Sequence, residues 1–121
     1  MKRYALLFVC LFPSIALAKF IHPMDFDGSD AQKQEVIDYI QTKVKENYCE
    51  GPIDMCQESM LRMMEKQNLK AFKQASEATD RTIMDQVVND YCRSGIDMCD
   101  YNTINMMYQQ NLKAAGEKLE W

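Results

Sequence analysis

The most specific chemistry in this chain belongs to four cysteines, Cys49 with Cys56 and Cys92 with Cys99, each pair spaced C-x6-C. An even set of cysteines in a small exported chain reads as a disulfide framework. The matched spacing favours Cys49–Cys56 and Cys92–Cys99. Each bond would clip a short loop and stabilise it by ~2–3 kcal/mol through lost chain entropy. A crossed pattern, Cys49 with Cys99 and Cys56 with Cys92, would suit two antiparallel helices. It ranks second because Gly51-Pro52 interrupts the helix between the first two cysteines. A four-cysteine zinc site ranks third, since C-x6-C is wider than the usual zinc knuckle.

Methionine supplies the second soft sulfur. Met60, Met63 and Met64 cluster on one helical stretch, and Met106 and Met107 on another. Thioethers bind Cu(I), so Met60, Met63 and Met64 form an alternative copper site. The plainer reading is that Met64 and Met107 lie on apolar stripes and fill a helical core.

Acidic and aromatic side chains near the clipped loops are the candidate contacts for a protein partner: Glu50, Asp54, Asp97, Asp100 and Tyr101. Asp54 and Asp97 also have a structural reading as helix N-caps. His22 is the sole histidine, and it lies in an irregular stretch, which leaves little material for a nucleophile–imidazole pair. No phosphate loop, dinucleotide fingerprint, metalloprotease motif or EF-hand pattern occurs. The expectation is therefore a protein with no catalytic residues and no cofactor.

These residues need elements to hold them. Lys2 and Arg3 precede an apolar stretch, Ala5 to Ala18, of 14 residues that ends in Ala16-Leu17-Ala18. This reads as a signal peptide cleaved after residue 18, and the stretch is too short to span a bilayer as a helix. Cys10 would leave with it. The mature chain then carries twelve basic and eighteen acidic residues, a formal charge of −6. That balance counts against nucleic acid and against anionic membrane surfaces as partners. The expected location is the periplasm, or outside the cell.

The chain also resembles itself at an offset of 43. Across 48–71 against 91–114, 13 of 24 positions are identical, including Ile-Asp-Met-Cys, Met-Met and Gln-Asn-Leu-Lys-Ala. Residues 19–29 read as an irregular segment and a solvated tail. Residues 30–121 read as one all-α domain of two repeats, about 30–78 and 79–121. Ser29 and Gln32 make a capping box for a helix over 30–49 whose stripe is Val36, Ile37, Ile40, Val44 and Tyr48. Asp54 would cap a helix over about 55–77, and Thr79 or Asp80 would open a third. Asp97 would cap a fourth, with a stripe running from Ile104 to Leu119. The expected fold is two tandem disulfide-clipped helical hairpins, an internal duplication, packed about a pseudo-two-fold axis as a small four-helix domain.

Such a chain suits a protein-binding protein, an inhibitor or immunity protein of a secreted or periplasmic hydrolase. An acidic surface would steer it to a basic partner. The alternatives are a periplasmic chaperone or stress protein, and a Met-based copper-binding protein.

Overall fold

The structure is a computed structural model that describes residues 18–93, 95 and 98–121. The expected signal peptide therefore lies outside the described residues except for Ala18, and so does Asp97. Among the described residues the fold is all-helical, with no strand. The helices are α1 (Asp30–Cys49), α2 (Glu58–Ser76), α3 (Arg81–Cys92) and α4 (Tyr101–Ala115).

Helices α1, α3 and α4 each start at a side-chain cap. The Ser29 hydroxyl accepts from Gln32 N at 3.2 Å and opens α1. The Gln32 side chain reaches back two residues further than a standard capping box, accepting from Asp27 N. Asp80 opens α3 by accepting from Ile83 N at 3.0 Å. Asp100 opens α4, taking Thr103 N at 2.8 Å and the Thr103 hydroxyl at 2.9 Å.

Two expected caps are corrected. Asp54 does not cap α2: its carboxylate accepts from Cys56 N inside the loop, and α2 begins at Glu58 after Gln57, which makes no side-chain cap. The disulfide explains the delay. Cys56 must lie 4.6 Å from Cys49 between Cα atoms, so the loop runs back along the end of α1, with Met55 N donating to Tyr48 O. The chain leaves that return extended and turns helical afterwards. In the second half the capping role belongs to Asp100, one residue beyond Cys99. The two disulfides are Cys49–Cys56 and Cys92–Cys99, the unscrambled pairing.

The helices pair as α1 with α2, α2 with α4, and α4 with α3, so α2 and α4 are central. Val36, Ile40 and Val44 of α1 meet Leu61, Phe72 and Ala75 of α2, Met84 and Val87 of α3, and Tyr101, Ile104 and Tyr108 of α4 in one core. Burying each large side chain contributes roughly 1.5–3 kcal/mol.

The register of the central pair departs from the expected two-fold. Asn68 Oδ1 accepts from Asn102 N, Gln74 Oε1 accepts from Asn105 Nδ2, and the Tyr108 hydroxyl accepts from Thr79 N and Asp80 N. These contacts advance together along α2 and α4. Exchanging the halves by a two-fold would turn the first of them into a bond between Asn111 and Ser59. Asn111 is instead exposed, and its amide donates to Met107 O in its own helix.

The same register corrects the end of α4. Tyr108 already sits level with the chain just past the end of α2, so residues beyond it outrun their neighbour. Helix α4 stops at Ala115, and Leu119 and Trp121 are 104% and 121% exposed. Leu119 is not part of an apolar stripe.

Candidate functional site

Residues 18–26 are not a solvated tail. They form a strap across the core, with a 3₁₀ turn at Pro23–Asp25 that lies against α2. Phe20 packs edge-on against Tyr39 and stacks on Tyr101, and Phe26 meets Phe72 edge-on at 5.1 Å. Ile21 and Pro23 are buried. The backbone of Ile21 is satisfied by one side chain: Ile21 N donates to the Tyr101 hydroxyl at 3.0 Å, and that hydroxyl donates to Ile21 O at 3.0 Å. Burial pushes the Tyr101 phenol well above its ordinary pKa, so it stays neutral and keeps its proton for this bond.

Polar contacts tie the strap to α3. His22 Nδ1 accepts from Met24 N at 3.1 Å, which requires that nitrogen to be bare, so Nε2 carries the proton to Asp85 Oδ1 at 2.8 Å. Arg81 grips Asp25 with both terminal guanidinium nitrogens and reaches Asp85 through Nε at 3.3 Å. The Arg81 hydrogen bond holds the Asp25 carboxyl below its ordinary range, and Asp25 in turn raises the guanidinium. Both ring nitrogens of His22 are thus committed to holding the strap.

Where the strap ends, α1 and α3 remain apart and leave an open groove of about 1230 Å³. Tyr39, Thr42 and Lys43 stand on the α1 wall, and Val88, Asn89 and Cys92 on the α3 wall. Phe20 and Ile21 contribute from the strap, and Arg93, Gly95 and Cys99 extend the lining into the second clipped loop. The Tyr39 hydroxyl donates to Cys99 O and fixes that loop to α1. Lys19, Lys43, Arg81 and Arg93 face Asp25, Glu46 and Asp85 around the groove, a balance of +1 in a chain whose formal charge is −4. A smaller cavity of about 160 Å³ lies between Lys43, Asn47, Tyr48, Asn68 and Asn102.

The residues singled out from sequence are scattered relative to this groove. Glu50 and Asp54 are exposed on the first clipped loop. Asp100 is half-buried and occupied as the α4 cap. Tyr101 is 1% exposed and stands in the core beneath the strap, so it is corrected from a surface contact to a packing residue. Its neighbourhood in sequence placed it at a loop, but the cap at Asp100 makes it the first residue of α4 and points its ring inward. Met60 and Met64 are half-buried, Met64 packs against the core, and Met63 is exposed. Among the described residues no cluster of three histidine, cysteine or carboxylate side chains could hold a metal ion. No described helix is long and apolar enough to cross a membrane.

The strap and the groove were not singled out from sequence. The signal that could have found the strap was there: Phe20, Ile21, Met24 and Phe26 are too apolar for a free tail. The groove had no such signal, because its walls belong to helices far apart in the chain. No protein-family model, curated protein or solved structure matches the chain.

Proposed function

We propose that this is an exported, disulfide-clipped helical protein that binds another protein, as an inhibitor or immunity protein of a secreted or periplasmic hydrolase. The observation that carries the reading is the open groove between α1 and α3. At about 1230 Å³ it exceeds the size of ordinary small-molecule pockets, roughly 300–1,000 Å³. Its mixed lining of aromatic rings and both signs of charge suits a polypeptide segment. Glu50 and Asp54, exposed on the first clipped loop, supply acidic steering toward a basic partner. The disulfides support it too, since loops held before binding lose less entropy on binding.

The export reading rests on residues 1–18, and the duplication reading on the 13 shared positions and the equal disulfide spans. The export reading has its own check. The exported protein should begin at Lys19 when its terminus is sequenced.

The test is capture from a periplasmic and secreted extract by mature, oxidised protein 19–121, followed by titration against the protein retained. A single stoichiometric partner is expected. The exposed wall substitutions Thr42→Arg and Asn89→Arg should weaken its binding at least as much as Glu50→Lys with Asp54→Lys. A stoichiometric partner indifferent to both wall substitutions would remove the groove from the proposal. A scatter of unfolded clients would replace it with a chaperone.

A further inference from the structure

Four methionines are exposed without a packing reason: Met55 at 39%, Met63 at 47%, Met98 at 45% and Met106 at 49%. They form two pairs at the same offset of 43, Met55 with Met98 in the clipped loops and Met63 with Met106 on α2 and α4. Each helical member has a methionine beside it, Met64 or Met107, that packs against the core. The inward residue of each Met-Met pair is explained by the core. The outward one is not, because a side chain half in water contributes little to folding.

The other sulfur in the described chain is already spent. Cys49, Cys56, Cys92 and Cys99 are all in disulfides. Thioether sulfur is therefore what remains for a two-electron oxidant to attack, and susceptibility among thioethers follows exposure.

We infer that Met55, Met63, Met98 and Met106 are sites of oxidation, which consume a peroxide-class oxidant while the fold stays intact. The thioether sulfur gives an electron pair to one peroxide oxygen. The O–O bond breaks, a sulfoxide S–O bond forms, and the second oxygen leaves as water with both protons. Sulfoxide formation turns an apolar side chain polar. At these positions the polar group faces solvent, so the core is not disturbed. At Met84, which is 0% exposed, the same change would put an unpaired dipole into the core. Met84 can react only when the domain opens, and a small domain is open for a fraction of about 10⁻³ or less of the time. This inference concerns surface outside the groove lining and stands independently of the partner.

The test treats oxidised-disulfide protein 19–121 with graded hydrogen peroxide, then maps added oxygen by peptide mass and follows helicity by circular dichroism. The expected result is one oxygen each on Met55, Met63, Met98 and Met106 before any on Met84, with the helical signal unchanged. The variant Met63→Leu with Met106→Leu should take up two fewer oxygens at the same dose and keep the same melting curve. Oxidation of Met84 in step with the four, or loss of helicity with the first oxygens, would overturn the inference.

Discussion

The segments 48–71 and 91–114 share 13 of 24 residues, yet the fold uses them unequally. Asn68 is 6% exposed and joins α2 to the first turn of α4, whereas Asn111 is exposed. Ala71 is buried and Ala114 is exposed, and Leu112 is 39% exposed where Leu69 packs against the core. The reverse holds at the start of the second helices: Tyr101 is buried, but its counterpart Glu58 is exposed. The difference teaches that shared residues specify a shared local form, helix and clip, while burial follows from where each helix lies against the other. In this register α2 is covered along its later turns and α4 along its earlier ones.

The largest break in the comparison should come from Tyr101→Ala, which empties core beneath the strap and should cost about 3–5 kcal/mol, read from denaturant midpoints. Glu58→Ala, at the matching position, should stay within about 0.5 kcal/mol. Similar losses at the two positions would overturn this asymmetry of burial. Tyr101→Phe keeps the ring and should cost about 1–2 kcal/mol, because Ile21 N and O both lose their partner.

The disulfides should sharpen the comparison by being alike. Replacing both cysteines of one pair with serine should cost ~2–3 kcal/mol for either pair, since the closed loops have equal length. A markedly larger loss for Cys92–Cys99 would show that the Tyr39 contact to Cys99 O adds to that clip.

A smaller contrast is expected at the shared asparagines. Asn68→Ala removes the partner of Asn102 N and should cost roughly 1–3 kcal/mol. Asn111→Ala should be neutral or stabilising by a few tenths of a kcal/mol, since alanine is the better helix former.

The smallest effect belongs to the strap's ion pair. The Asp25 carboxyl is depressed by Arg81, so its contribution is present above its ordinary pKa of 3.8 and disappears as pH falls through the lower folded value. Asp25→Asn should therefore melt slightly below the parent at neutral pH, and the two curves should converge in acid. The pair is half exposed, so added salt should shrink the gap as well.

Much of the site was illegible for a definable reason. The loops at 49–56 and 92–99 could be located because cysteine spacing and glycine are local signals. Asp100 could have been preferred over Asp97 as the α4 cap from Thr103 three residues on, a pattern that outweighs resemblance to the first half. The groove could not be read, because Thr42 and Asn89 become neighbours across it only after α2 and α4 have separated α1 from α3. His22 could not be read as a clasp, since Asp85 is 63 residues away in sequence.

What the sequence determined by itself is what lies within a few residues: the span of α1 from Ser29 and its periodic stripe, the all-α class, and the pairing of cysteines seven apart. Hydrogen bonds and loop closures of that reach are settled before distant segments meet. The tertiary structure decided the slide of α2 against α4, the docking of the strap through Tyr101, and the gap between α1 and α3. Those depend on which apolar surface covers which, and a residue such as asparagine or alanine is equally at home in a helix whether or not another helix lies over it.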